Sequence, residues 1–171
     1  PNKSESRKIY IIGNPNTGKT TLFNHLTGLK QKVGNWAGVT VDKKQGEFKT
    51  NRYSYSITDL PGIYALPYCE YFDSCENINT NNNQAIDEKI ALKALLDPEN
   101  KKNSLIINII DASNLERNLY LTTQLRDLNI PMIAALNMTD IAKKTGLITD
   151  AKLLELQLKC PVIPICARKK Q

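Results

Sequence analysis

Short apolar runs alternate along the chain with stretches of helical period. Ile9 to Ile12 has the length of a buried strand, and Lys19 to Leu29 follows it with Leu22, Phe23 and Leu26 on one helical face. Lys30 to Thr40, KQKVGNWAGVT, has two glycines and no steady period, and it reads as a loop. VDKKQGEF and RYSYSITD read as two strands around a Lys-Thr-Asn turn, with Tyr53, Tyr55 and Ile57 alternating as in a half-buried strand. From Ile63 to Gln84 the sequence is irregular and ends in NINTNNNQ, too polar to bury much area, so this stretch is expected to be mobile. A helical pattern resumes at Ala85 with Ile86, Ile90, Ala94 and Leu95 near helical spacing. SLIINII is typical of a central parallel strand, Glu116 to Leu128 is helical in pattern, and IPMIAALN is another buried strand. Ala151 to Leu158 reads as a last helix and PVIPI as a last strand. Strands alternating with helices predict an α/β fold with a largely parallel sheet covered on both faces and right-handed connections.

Composition narrows the class. A chain of 171 residues that is 41% hydrophobic suits one domain with a single core. No run approaches the roughly 18 to 20 apolar residues of a membrane-spanning helix, and PNKSESRK lacks a signal-peptide core, so these residues are expected to be soluble. The net charge of +6 is scattered, apart from Lys3 to Lys8 and Arg168 to Lys170, and reads as a solvated surface rather than a nucleic-acid or membrane footprint. Cys69 and Cys75, and likewise Cys160 and Cys166, have five residues between them. Compact zinc sites use about two to four intervening residues and redox pairs about two, so all four are read as reduced thiols.

The densest chemistry lies between the first strand and the first helix. Gly13-Asn14-Pro15-Asn16-Thr17-Gly18-Lys19-Thr20 fits G-x-x-x-x-G-K-[ST] in the strand-to-helix context that gives the pattern meaning. Backbone N–H groups of such a turn, continued by Thr21, converge on phosphate oxygens, and the helix N-terminus adds partial positive charge. Lys19 would neutralise the terminal phosphates and Thr20 would offer its hydroxyl to magnesium. Asp59-Leu60-Pro61-Gly62 follows a strand; its carboxylate can hold magnesium through water, and the Gly62 N–H can meet a terminal phosphate. Asn137-Met138-Thr139-Asp140 follows another strand, and Asp140 can accept from a ring N–H and an exocyclic amine together, a pair that guanine presents and adenine does not. Each of the last two patterns is weak alone, because Asp, Asn and Gly are common in turns. Their order and spacing after the first make coincidence a poor account.

GNPNTGKT, DLPG and NMTD together resemble the Ras-like and translation-factor-type GTPases, and GNWAGVTV with DASNLERNLYLTTQL is similar to the G domain of the bacterial ferrous-iron transporter FeoB, from about Ile9 to Arg168. The resemblance implies a Ras-like P-loop fold with about six to seven mostly parallel strands and helices on both faces. It makes residues 1–171 one GTP-binding domain, with helical and transmembrane parts expected beyond residue 171. It implies that Thr40 is the switch threonine that reaches magnesium and the terminal phosphate, completing a magnesium set with Thr20 and Asp59. It places Cys166, Ala167 and Arg168 in the base-capping loop, with Cys166 where the family has Ser and the Ala167 N–H offered to the guanine oxygen. Ile63 and Tyr64 stand where Ras-like enzymes carry the water-orienting Gln, so unassisted turnover is expected on the order of 10⁻³ per second. By the same resemblance Asn16, with backbone carbonyls of Asn35 and Trp36, would hold a potassium ion in place of an arginine finger; the alternative is that Asn16 merely caps its own turn. Pro15 pre-sets one dihedral of that turn. Asn16, Lys19 and Thr40 are the candidate catalytic residues.

The implied activity is that of a magnesium-dependent GTPase switch regulating ferrous-iron uptake at the cytoplasmic face of the bacterial inner membrane. Its partners would be GTP and GDP, the helical and transmembrane portions of the same protein, and a second copy through the switch regions; no nucleic acid is expected. Two other readings stand beside it: a ribosome- or RNA-associated assembly GTPase, which shares P-N-x-G-K, and a nucleotide sensor that does not hydrolyse. His25 reads as a surface or packing residue. Trp36 and the Tyr68, Tyr71 and Phe72 cluster carry no assigned role.

Overall fold

Residues 7–28, 31–50, 53–67, 83–97 and 103–167 are described by the computed structural model. The apolar run at the start forms β1 (Arg7–Gly13), the middle strand of a seven-stranded sheet. The strands that follow are β2 (Gln31–Asn35), β3 (Asp42–Lys49), β4 (Ser54–Asp59), β5 (Ser104–Asp111), β6 (Met132–Asn137) and β7 (Val162–Pro164). Their order is β2-β3-β4-β1-β5-β6-β7, parallel from β4 to β7, with β3 antiparallel to both of its neighbours. The helices are α1 (Lys19–Thr27), α2 (Asn83–Leu96), α3 (Leu115–Asp127), α4 (Thr139–Lys144) and α5 (Ala151–Leu158). This is the expected mostly parallel sheet.

Alternation along the strands sorts the core into two faces. Ile9 and Ile11 of β1, Ile57 of β4 and Ile109 of β5 pack with Phe23 of α1. Tyr10, Ile12 and Ile106 point the other way and pack with Ala91 and Leu95 of α2 and Leu121 and Leu125 of α3. A third cluster seats α4 and α5 beside β6 through Ala142, Leu154 and Leu158 against Ala134 and Leu136. A buried polar pair, Asn108 Nδ2 donating to Thr122 Oγ1 at 2.7 Å, locks α3 to β5 within this apolar surround. The carboxyl ends of β1, β4, β5 and β6 therefore face one edge of the sheet, where ligands bind in open α/β folds.

Two expectations change. Gln31 to Asn35, read as part of a loop, is an edge strand paired antiparallel to β3, with Gln31 opposite Gly46 and Asn35 opposite Asp42. Its side chains from Lys32 to Asn35 are exposed on both faces, so no apolar period marks it; backbone pairing alone defines it. α4 was not anticipated, because its six residues bury only Ala142. Residues 68–82, which hold Cys69, Cys75, Tyr68, Tyr71, Phe72 and most of the stretch expected to be mobile, lie outside the described residues.

Candidate functional site

β1 ends at Gly13, where an added Cβ would collide with the Ile109 carbonyl oxygen of β5, so the turn can hug the sheet only with glycine there. Asn14 is buried, and its carbonyl accepts from Lys19 Nζ at 2.7 Å and from Thr17 Oγ1 at 2.9 Å. Gly18, at φ 98°, starts α1; a Cβ there would lie 2.5 Å from Asn137 Nδ2. No side chain caps α1, so its first N–H groups are available to phosphate oxygens. Lys19 is only 8% exposed. Burial lowers its pKa to about 8, against the opposing pull of Asp59.

The D-x-x-G turn sits directly on this loop. A Cβ on Gly62 would come within 2.8 Å of Lys19 Nζ and 3.0 Å of Pro15 Cα, and the Ile63 N–H donates to the Gly13 carbonyl at 3.3 Å. Thr20 Oγ1 donates to Asp59 Oδ2 at 2.9 Å, and Asp59 Oδ1 is buried with no partner among the described residues. Burial raises the Asp59 pKa, while Thr20, Lys19 and Lys44 pull it down. A hydroxyl beside a carboxylate with one free oxygen is a donor set that fits a hard divalent cation.

Asn137 closes the other end. It is the last residue of β6 and 4% exposed, with Nδ2 donating to the Thr17 carbonyl at 2.8 Å and Oδ1 accepting from the Ala167 N–H at 3.0 Å. One amide thus staples the phosphate turn to the loop after β7. The Ala167 N–H, expected to face a guanine oxygen, is held by Asn137 in this structure, because the loop packs onto the end of β6. Met138, at φ 59°, turns the chain into α4, whose first turn carries exposed Asp140. A cavity of about 400 Å³ is lined by Asn16, Gly18, Lys19, Thr20, Thr21, Asn137, Met138, Asp140, Ile141, Cys166 and Ala167. Arg168 lies outside the described residues.

Other expected site residues are not gathered there. Thr40 is exposed and lines a different depression with Ile86 and Asp87. Asn35 is in β2, and the Trp36 carbonyl accepts from the Val39 N–H at 3.2 Å within the β2–β3 connection, so the proposed potassium ligands are held in a hairpin. Trp36 packs against the α2 side of the core under Lys43, whose Nζ lies 4.7 Å from the ring centroid. Asn16 is exposed at φ 63° and makes no side-chain hydrogen bond to another described residue. His25 is exposed on α1, as its surface reading expects. Ile63 is fully buried and cannot orient a water. Tyr64 lies under Arg117, whose guanidinium carbon is 3.9 Å from the ring centroid. Gln124 hydrogen-bonds the backbone of Leu66. Arg117 and Gln124 were missed because each resembles any polar position on an amphipathic helix. Among the described residues no group of three His, Cys, Asp or Glu could hold a metal, and no helix is long and apolar enough to cross a membrane.

The family model described as ferrous iron transport protein B matches residues 7–171. The Fe(2+) transporter FeoB of Salmonella typhimurium is 48% identical over 161 residues, 94% of this chain but 19% of that relative, so the chain spans about a fifth of the relative's length. Among solved structures, a mutant S. thermophilus NFeoB bound to GDP is 42% identical with a TM-score of 0.78, covering 96% of this chain and 57% of that one. The cytosolic domain of the T. maritima FeoB iron transporter in its GMPPNP form is 38% identical with a TM-score of 0.80, covering 96% and 58%.

Proposed function

Because the chain belongs to the ferrous iron transport protein B family, we propose that it is a GTP-binding, slowly GTP-hydrolysing switch domain that regulates ferrous-iron passage through the membrane portion of a longer protein. The observation that carries the reading is the single cavity in which the phosphate turn, Lys19, Thr20 and Asp140 meet. The turn's N–H groups and Lys19 bind the phosphates, Gly62 meets the third phosphate, and Asp140 accepts from the guanine edge. The Ala167 N–H exchanges Asn137 for the guanine oxygen when the base enters, with Cys166 and Arg168 completing the cap. Thr20 and Asp59 would hold magnesium, which supplies neutralisation of phosphate charge when bound, and Thr40 would join them once its segment moves to the cavity. Supporting the nucleotide assignment, relatives were solved with GDP and with GMPPNP.

Neither Ile63 nor Tyr64, which follow Gly62, can orient the attacking water by its side chain, so hydrolysis needs another source of charge stabilisation. Asn16, exposed and without a side-chain hydrogen bond to another described residue, would supply one potassium ligand, and the carbonyls of Asn35 and Trp36 the others after the β2–β3 tip opens. In the cell the domain lies at the cytoplasmic face of the inner membrane, attached to the helical and transmembrane portions, and its switch regions are the surface for self-association.

Titration with GDP and ADP tests the base assignment. GDP binding that weakens at least tenfold in Asp140→Asn supports it, since hydrogen bonds to a charged group contribute about 1.5–3 kcal/mol each; equal binding of both nucleotides would refute it. Turnover in potassium against sodium at matched ionic strength, with Asn16→Ala in parallel, tests the cation. Stimulation that survives the substitution would remove Asn16 from that role. Ferrous-iron uptake by cells carrying full-length Lys19→Ala tests the coupling to transport, and undiminished uptake would sink it.

A further inference from the structure

The residues after Gly62 run along one face of α3. Ile63 and Leu66 are buried in the cluster that holds Leu121 and Leu125. Between them Tyr64 stacks under Arg117. Two turns further along the helix, Gln124 takes both backbone groups of Leu66: the Leu66 N–H donates to Oε1 at 2.8 Å, and Nε2 donates to the Leu66 carbonyl at 3.4 Å. An amide used in this way substitutes for a neighbouring strand, satisfying one donor and one acceptor that no sheet partner reaches. The first turn of α3 is also tied to the phosphate turn, because Asn14 Nδ2 donates to the Arg117 carbonyl at 3.3 Å while the Asn14 carbonyl holds Lys19 Nζ. The helix therefore grips both halves of the phosphate site. Neither Arg117 nor Gln124 lines the cavity.

We propose that Arg117 and Gln124 are positioning residues for the terminal phosphate: by holding Tyr64 and Leu66 on α3 they keep Gly62 seated on the phosphate turn, where its N–H meets the third phosphate. The proposal rests on the GTP reading given above. A diphosphate does not reach Gly62, so the two side chains matter for triphosphate and not for diphosphate. That preference separates positioning from general packing, which would affect both nucleotides alike.

The test measures dissociation constants for GDP and a non-hydrolysable GTP analogue, with single-turnover hydrolysis, in wild type, Arg117→Ala and Gln124→Ala. Losing a hydrogen-bonding or stacking anchor predicts analogue binding weaker by about fivefold in each variant, with GDP binding changed by less than about twofold. Turnover falls with the analogue affinity. Tyr64→Leu should reproduce the loss seen in Arg117→Ala, and Tyr64→Phe, which keeps the ring face, should restore the wild-type preference. If Gln124→Ala fails to fold, Gln124→Met keeps the side-chain volume and loses both hydrogen bonds, and the same preference should shift by a similar amount. An unchanged ratio of the two affinities in all these variants, or equal weakening of both nucleotides, would overturn the proposal. Wild type that binds neither nucleotide would instead overturn the GTP reading.

Discussion

Replacing Asn137 with Ala removes the only side chain that ties the phosphate turn to the loop after β7 among the described residues. Two hydrogen bonds disappear, at 2.8 Å to the Thr17 carbonyl and at 3.0 Å from the Ala167 N–H. The site is closed to solvent: Asn137 is 4% exposed, and Thr17 and Ala167 are also buried. Each bond contributes about 1 kcal/mol net, and a buried group left without a partner costs about 1–3 kcal/mol, so the substitution should cost about 2–4 kcal/mol. For a domain of this size each kcal/mol lowers Tm by about 2–4 °C, which places the expected fall at about 4–16 °C. The assay is reversible thermal unfolding followed by circular dichroism, with and without GDP. Ligand stabilisation should shrink as well, because Gly18 and the start of α1 lose their support at Asn137. Asn137→Asp is the informative companion: it keeps the acceptor for Ala167 but sets a carboxylate oxygen against the Thr17 carbonyl, so it should be no more stable than Asn137→Ala. A loss of less than about 0.5 kcal/mol in Asn137→Ala would refute the staple, since that is the usual scale of a surface change.

Further predictions follow from the same geometry. Burial lowers the Lys19 pKa to about 8 from 10.5, so the nucleotide-free fold carries a penalty below pH 8 that is relieved as pH rises towards 10.5. Stability should rise across that window by up to about 3 kcal/mol from this group, and Lys19→Met should lack the rise when denaturant midpoints are compared across pH. GDP affinity should fall over the same range, since binding favours the protonated amine. Gly18→Ala, which would place a Cβ 2.5 Å from Asn137 Nδ2 at φ 98°, should cost at least about 2 kcal/mol in denaturant unfolding. Cys166 lines the cavity and Cys160 does not, so GDP should slow alkylation of Cys166 and not of Cys160 in site-resolved mass spectrometry.

Much of the proposed phosphate site is legible in the sequence because its chemistry is local. Successive N–H groups, a glycine that lets the chain approach β5, and a lysine one residue into the helix must be contiguous to surround a phosphate, so the pattern survives as a string of letters. The alternation of buried strands with helices was equally plain, since burial on both faces demands apolar runs. Each strand expected from such a run is present, from Ile9–Ile12 within β1 to the short strand β7. Tertiary structure alone decided what those elements do to one another. β2 has no apolar signature, because an edge strand exposed on both faces is held by backbone pairing. The sequence suggests Asn137 only as a base contact; the structure adds that its amide spans 120 residues to Thr17 and 30 to Ala167. Asn14 reaches 103 residues to Arg117, and Leu66 reaches 58 to Gln124. A polar side chain has the same letter whether it points to water or closes a buried donor, and only the packing of distant segments determines which.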